Sequence, residues 1–309
     1  MRYQKILVPL DGSKLSESIL PYALSFAEAF KTPLELLHVV DLEALRTLFS
    51  ARQGRPIDVV ETELKSAAMK YLEGITASLP GNLNIRQTVE LGMPAEVALG
   101  RADNQEETLI AMATHGLSGS KRWIVGSVAN KILHRARSPL LVIKPAAEQH
   151  STTAARLKRV LVPLDGSAFA EQVLSHVTII ATVMDLNVEL FQAYSLPISA
   201  VTLAPHSFVY PGGGSEFVTG EVLKEDVESY LMTKMDQLRT QEKVLRVSYS
   251  AAHGDAAEQI ISTAQSTRNT LTAMSTHGRT GMGRWLLGSV AERVVQYSGD
   301  PVLLIRPSA

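Results

Sequence analysis

The chain has 309 residues, with 30 Lys and Arg against 31 Asp and Glu, so its formal net charge is −1. This length is typical of two ordinary domains, and a hydrophobic content of 45% excludes wholesale disorder. The balanced charge argues against a protein built mainly to coat nucleic acid or an anionic membrane. The absence of cysteine excludes disulfides, thiolate metal sites and cysteine nucleophiles.

No apolar run approaches the roughly 18 residues that cross a bilayer. The first dozen residues are typical of a strand and a turn, without the charged and apolar regions of a signal peptide. We therefore expect a cytoplasmic protein with neither a membrane nor a nucleic-acid partner.

Short apolar runs alternate with amphipathic stretches along the first half. Residues 6–8 predict a buried strand, and residues 13–30 predict a helix that Ser13 caps. The remaining predictions, in chain order, are a strand at 34–40, a helix at 57–78, an outer strand at 83–90, a helix at 95–102, a strand at 108–113, a helix at 127–136 and a strand at 140–143.

The second half repeats the first. Lys5-Ile-Leu-Val-Pro-Leu-Asp-Gly-Ser13 returns as residues 159–167, and the segment 114–129 returns as 276–291. A repeat this long is a duplicated domain. We place domain 1 at 1–146, the linker at 147–156 and domain 2 at 157–309. The second copy is longer between the two landmarks, and we assign the extra residues to 195–220, either a mobile surface excursion or a lid or partner loop.

Strand–helix alternation predicts an α/β protein with two tandem doubly wound, Rossmann-like domains. Each would be an open five-stranded parallel sheet with helices on both faces. In such sheets the ligand lies at the carboxyl ends of the strands, where the strand order reverses. The repeated residues fall after the first and fourth strands and at the start of the last helix, which is this region.

Asp11 and Asp165 each follow the first strand of their half. A carboxylate in that place can accept hydrogen bonds from a sugar hydroxyl or a base amine. Alternatively it is a turn aspartate that binds its own backbone.

A glycine–serine pair begins the last helix of each half. Gly116 is followed after nine residues by Gly126-Ser127, and Gly278 by Gly288-Ser289. Glycine lets the backbone approach an anion closely, and a helix N-terminus favours negative charge. Alternatively Ser289 and Glu292 form a capping box that satisfies the helix start without a ligand. Basic residues of the two loops that would add positive charge are Lys121, Arg122, Arg279 and Arg284.

His115 and His277 precede the repeated glycines, and Trp123 and Trp285 lie in the same loops. A histidine here would be a base or a metal ligand, but the bland interpretation as a hydrogen-bonded loop anchor is favoured, because no second histidine has ligand spacing. The tryptophans are expected to pack the loop against the sheet. We assign no catalytic residue and no metal site.

These motifs resemble the universal stress protein family in its tandem form. The family's nucleotide-binding members carry Gly-x-x-Gly, nine residues and Gly-Ser/Thr after the fourth strand, together with an aspartate after the first. Both halves match the nine-residue spacing and the Gly-Ser pair. The first glycine of the signature is replaced by Ala113 and Ser275.

The resemblance implies that ATP, ADP or AMP binds as cofactor, with or without Mg. In the first half the implied site consists of Pro9, Asp11, Val39, Met112, Ala113, Gly116, Gly126, Ser127 and Val128. In the second half it consists of Pro163, Asp165, Ala193, Met274, Ser275, Gly278, Gly288, Ser289 and Val290.

The resemblance also implies an internal pseudo-dimer formed through the last strands, 140–143 and 302–305. Two chains could also associate into a homodimer, and a protein partner is expected but is not identified by the sequence. The expected function is a stress-response binding or signalling module, with weak ATP hydrolysis at most. The alternatives are a nucleotide-free interaction scaffold, motivated by Ala113, Ser275 and Glu292, and a slow ATPase.

Overall fold

The computed structural model describes residues 3–42, 56–103, 107–115, 125–145, 152–195, 220–242, 244, 246–278 and 287–307. In the first half the elements are β1 (Lys5–Pro9), α1 (Lys14–Glu17), α2 (Leu20–Phe30), β2 (Leu34–Asp41), α3 (Ile57–Ser78), β3 (Ile85–Gly92), α4 (Pro94–Asp103), β4 (Thr108–Ala113), α5 (Ser127–Arg135) and β5 (Leu140–Ile143).

The second half repeats this order. Its elements are β6 (Arg159–Pro163), α6 (Ala168–Glu171), α7 (Val173–Met184), β7 (Asn187–Tyr194), α8 (Gly220–Thr240), β8 (Val247–His253), α9 (Ala256–Gln265), β9 (Thr270–Ser275), α10 (Ser289–Tyr297) and β10 (Val302–Ile305). The α/β alternation and the duplication predicted from the sequence are therefore confirmed.

Both halves contribute to one ten-stranded sheet with the order β3-β2-β1-β4-β5-β10-β9-β6-β7-β8. The five strands of each half are parallel, and the strand order reverses between β1 and β4 and between β6 and β9. β5 and β10 pair antiparallel, with Leu303 opposite Leu141, as the resemblance implied. Because the strands of the two halves run in opposite directions, the carboxyl ends of the first-half strands and those of the second-half strands lie on opposite sides of the sheet.

Two apolar layers cover the sheet. Alternate residues of each strand face opposite sides, so Ile6 and Val8 lie in one cluster with α2 and α7, whereas Leu7 lies in the other with α5 and α10. The central strands β4 and β5 are buried along their whole length. This burial on both faces is the reason for their continuous apolar sequences.

Two sequence predictions are wrong in detail. The single helix expected at 13–30 is a short α1 and a separate α2, because Pro21 occupies the first turn of α2, where proline is tolerated. The outer strand expected at 83–90 runs from Ile85 to Gly92, set by its register with β2. Ser13 is the predicted N-cap, and its side chain accepts from Ser16 N.

Candidate nucleotide site

A cavity of about 690 Å³ lies at the carboxyl ends of β1, β2 and β4 in the first half. It contains every predicted first-half residue that the structure describes: Pro9, Asp11, Val39, Met112, Ala113, Gly126, Ser127 and Val128. Gly116 lies outside the described residues. These predicted residues thus share one concave surface at the switch in strand order, the region where doubly wound sheets hold ligands.

The turn after β1 fixes the carboxylate at one wall of the cavity. Asp11 Oδ1 accepts hydrogen bonds from Ser13 N at 3.0 Å and from Ser13 Oγ at 2.6 Å. Gly12 has φ of +87°, a conformation that favours glycine. The aspartate is therefore a turn residue, as the alternative interpretation held, and it also lines the cavity.

The N-terminus of α5 forms a second wall. Gly126 is the N-cap, and its N–H donates to the Thr114 carbonyl at 2.8 Å, which ties the helix start to the end of β4. Because the N-cap residue is glycine, no N-cap side chain accepts from the first N–H groups of the helix. The first N–H groups of a helix have no intrahelical acceptor, and they suit an anion such as a phosphate.

The second half has the same helix start, and the capping-box interpretation is wrong. The N-cap of α10 is Gly288, which makes no side-chain hydrogen bond, and Ser289 is the first helical residue. Glu292 Oε1 accepts instead from Gln296 Nε2 at 3.2 Å. A Cβ on Gly288 would lie 2.9 Å from the Thr276 carbonyl oxygen, so this close approach requires glycine.

Both loop histidines are hydrogen-bonded to the preceding threonine. His115 Nδ1 lies 2.9 Å from Thr114 Oγ1, and His277 Nδ1 lies 3.0 Å from Thr276 Oγ1. This geometry agrees with the loop-anchor interpretation. Among the described residues no group of three or more His, Asp or Glu is placed to hold a metal ion.

The remaining predicted second-half residues also gather at the strand ends. Pro163 and Ser275 end neighbouring strands, and Ala193 lies near the end of β7. Gly278 contacts the carboxylate of Asp165 so closely that a Cβ would lie 2.1 Å from Oδ2. Asp165 repeats the turn of Asp11, accepting from Ser167 N at 3.0 Å. Met274 and Val290 pack in the apolar layer of α10.

Helix α3 supplies a wall of the first-half cavity that motif reasoning missed. From α3 the cavity is lined by Leu64, Ala67, Ala68 and Tyr71, and further lining residues that motif reasoning missed are Ser16, His38 and Val40. Leu64, Ala68 and Tyr71 follow helical spacing, so an apolar stripe was visible in the sequence. That stripe did not distinguish a cavity wall from ordinary core packing.

Aromatic and charged groups organise this wall. The rings of His38 and Tyr71 meet edge to face, with centroids 5.9 Å apart. Tyr71 Oη donates to Glu17 Oε1 at 3.3 Å, and Lys14 Nζ lies 2.8 Å from Glu17 Oε2. Burial, with a smaller contribution from Glu17, raises the pKa of Tyr71, so its hydroxyl stays protonated at neutral pH.

Several predicted residues lie outside the part of the chain that the structure describes. They are Lys121, Arg122, Trp123, Arg279, Arg284 and Trp285. The inserted segment also lies outside it, apart from Ser195 and Gly220 at its ends.

A family model described as the universal stress protein family matches residues 2–144 and again 156–306. The chain belongs to this family. The universal stress protein MJ0531 of Methanocaldococcus jannaschii is 31% identical over 142 residues, covering 46% of this chain and 82% of the relative. The universal stress protein Rv2623 of Mycobacterium tuberculosis is 24% identical over 315 residues, covering 98% of this chain and 96% of the relative.

The fold of this universal stress protein has a solved counterpart. The crystal structure of a universal stress protein from Archaeoglobus fulgidus superimposes with a TM-score of 0.67 at 18% identity. The match covers 99% of this chain and 97% of that one. The tandem arrangement is therefore shared at full length. No helix in the described part of this chain is both long and apolar enough to cross a membrane.

Proposed function

We propose that this universal stress protein binds an adenine nucleotide (ATP, ADP or AMP) in the first-half cavity and acts through its binding state as a stress-response module. The observation that carries the proposal is the cavity of about 690 Å³ lined by Asp11, Val39, Met112 and the start of α5. Ligand pockets generally enclose about 300–1,000 Å³.

The cavity offers different chemistry at its two ends. At the Gly126–Val128 end, the N–H groups at the N-terminus of α5 are suited to the phosphates. We propose that Asp11 and Val39, which line the same cavity, contact the ribose and base, and that Met112 covers the base with apolar surface. A ligand with a negatively charged group at one end and a flat, largely apolar ring at the other fits these two ends of the cavity.

The described site holds no assigned nucleophile or general base. His115, which lines the cavity, is hydrogen-bonded to Thr114. We therefore propose binding, with weak hydrolysis at most. Magnesium, where present, would be held by the nucleotide's phosphates and would neutralise part of their charge.

The second half is proposed as the weaker site. Alignment of the hydrogen bonds from Tyr71 to Glu17 and from Tyr230 to Glu171 places Val227 where the first half has Ala68. Val227 is buried and larger than alanine. Glu292 in the first turn of α10 replaces Asn130, and its negative charge opposes a phosphate at that helix start.

The test is a calorimetric titration of nucleotide-stripped protein with ATP, with and without Mg, in wild type and in Asp11→Asn. The amide keeps an oxygen for the turn but removes the charge, so we expect affinity to fall about ten-fold, in line with the loss of one charge-assisted hydrogen bond. Asp165→Asn is the matched control and should leave the tighter binding unchanged.

The scaffold alternative makes the opposite prediction. If wild type takes up no adenine nucleotide at millimolar concentration, the proposal is wrong, and the search moves to protein partners. Turnover faster than about one per second would instead favour an enzyme.

A further inference from the structure

The imidazole of His38 lies beside the turn that carries Asp11. His38 is near the carboxyl end of β2 and lines the first-half cavity. A Cβ placed on Gly12 would be 3.9 Å from His38 Cε1, so the ring lies against the turn. The proposed function leaves this side chain without a role.

One ring nitrogen of His38 has unmet hydrogen-bonding capacity. Among the described residues Nδ1 has no hydrogen-bond partner, and it is shielded from solvent. Buried polar atoms in native proteins are nearly always paired, so an exception calls for an explanation such as a ligand. A small rotation of the imidazole towards the cavity would break no hydrogen bond of Nδ1, because this atom makes none with the described residues.

The ring is neutral at physiological pH. Burial lowers the pKa of His38, while the Asp11 carboxylate and the Leu10 carbonyl oppose that shift without overcoming it. A neutral imidazole has one N–H donor and one acceptor nitrogen. Because Nδ1 has no hydrogen-bond partner among the described residues, we assign it the acceptor role and the proton to Nε2.

The equivalent position of the second half has the same property. Gln192 lies 154 residues after His38 in β7, as Asp165 does after Asp11. Its side chain is buried, and its Oε1 also has no hydrogen-bond partner among the described residues. Both halves thus hold an unpaired acceptor at the same place in the sheet, although the residue types differ.

We propose that His38 determines base specificity: its Nδ1 accepts a hydrogen bond from the exocyclic amino group of the bound base, so the site prefers adenine to hypoxanthine. The inference rests on the proposed function. Adenine presents an amino donor at the position where hypoxanthine, like guanine, presents a carbonyl acceptor. The hypoxanthine carbonyl oxygen and Nδ1 are both acceptors and would repel each other, whereas the adenine amino group donates a hydrogen bond to Nδ1.

The Tyr71 ring supports this geometry. Its edge-to-face contact holds the imidazole from the α3 side, and the hydroxyl is engaged by Glu17 at 3.3 Å. Tyr71 therefore offers the base an apolar surface and does not compete for its polar edge. We treat Tyr71 as a positioning residue and His38 as the specificity-determining one.

The test compares ATP with inosine triphosphate by calorimetry on the full chain stripped of nucleotide. Wild type should prefer ATP by about ten-fold or more, the discrimination typical of a specific base contact. His38→Phe keeps the ring and removes the acceptor, so the preference should fall to within about two-fold of parity. His38→Gln, the residue type of the second half, keeps an acceptor and should retain most of the preference.

Inorganic tripolyphosphate separates this role from a structural one. It probes the N-terminus of α5 alone, so its affinity should be equal in wild type and both variants. In wild type, ¹⁵N NMR of the His38 side chain should show a shift at Nδ1 with ATP but not with tripolyphosphate, a readout that needs no variant to fold.

The outcomes are distinct. An unchanged ATP preference in folded His38→Phe, or an Nδ1 signal that ATP does not move, overturns the inference while nucleotide binding stands. Wild-type protein that binds ATP and inosine triphosphate equally also overturns it. Wild-type protein that binds neither nucleotide overturns the proposed function and, with it, the inference.

Discussion

The two halves have the same order of strands and helices but differ in the side chains around the carboxyl ends of their strands. The aspartate turns are superimposable in their bonding, since Ser13 and Ser167 donate to the preceding aspartate at the same distances. Around these turns, Ala68 corresponds to Val227, and Asn130 to Glu292. Backbone turns survive duplication because they satisfy local hydrogen bonds, whereas cavity walls are free to diverge.

A second comparison concerns a carboxylate on β2, which is buried, and its counterpart on β7, which is partly buried. Glu35 is held by Lys5 and Arg101, and Thr88 Oγ1 donates to it at 2.9 Å. Among the described residues of the second half, Arg159 is the cation that pairs with Glu189, at 2.5 Å. Among the described residues, the negative charge of Glu35 is thus balanced by two cations and that of Glu189 by one.

The largest effect is expected at the helix starts. Gly126→Trp should weaken ATP binding by at least about 100-fold, because the indole would fill the phosphate end of the cavity. Gly288→Trp should leave the tighter site intact. Calorimetry would measure both, with Gly81→Trp as control, since a Cβ there meets no atom within 4 Å. Equal losses in both variants would contradict the proposed difference between halves.

The ion pairs of Glu35 and Glu189 predict unequal costs in stability. Arg159→Met leaves Glu189 without its cation, and breaking such a pair costs about 3 kcal/mol of unfolding free energy. Arg101→Met should cost less, because Lys5 remains 3.1 Å from Glu35. Urea unfolding followed by circular dichroism would measure the difference. Similar losses of unfolding free energy in both variants would show that Lys5 alone does not compensate the charge of Glu35.

A smaller effect is expected from the charge in the first helical turn. Asn130→Glu copies the second half and should weaken ATP binding by about two- to five-fold, the size of a charge–dipole interaction. Glu292→Asn should strengthen any binding by the second half by a similar factor. The shift should shrink at high salt. A salt-independent change in calorimetric affinity would point to altered packing instead.

The smallest effect is a pH dependence of stability. Burial lowers the pKa of His38, and burial with a smaller contribution from the N-terminal charge lowers that of His176, which packs on Tyr3. Below pH about 6.5 the unfolded chain therefore binds more protons than the folded one, and stability falls as pH decreases from there. Melting temperatures between pH 5.5 and 7.5 would show this trend.

His38→Phe and His176→Phe should each flatten that profile, and their effects should add because the two sites lie in different halves. A profile unchanged in both variants would mean that other groups control it. A change in only one would assign the pH response to that half.

Local chemistry made much of the fold readable from the sequence. The apolar runs of β1, β4 and β5 and the boundaries of α3 follow from periodicity, and the Asp-Gly-Ser turn follows from the needs of a left-handed glycine. The pairing of the last strands was implied by the resemblance to the universal stress protein family, and β5 and β10 do pair antiparallel. The division of residues 13–30 into two helices was missed, although Pro21 signalled it: proline disrupts a helix interior and is tolerated in the first turn.

The sequence alone determined which residues would meet at the strand ends, because parallel strands bring their carboxyl ends to one edge. Only the tertiary structure decided how much space surrounds them. The wall supplied by Leu64, Ala68 and Tyr71 depends on how α3 packs across β2, a long-range contact that no local pattern encodes. The unpaired nitrogen of His38 is likewise a property of its neighbours. Hydrogen-bond satisfaction is decided by packing, and packing exists only in the folded chain.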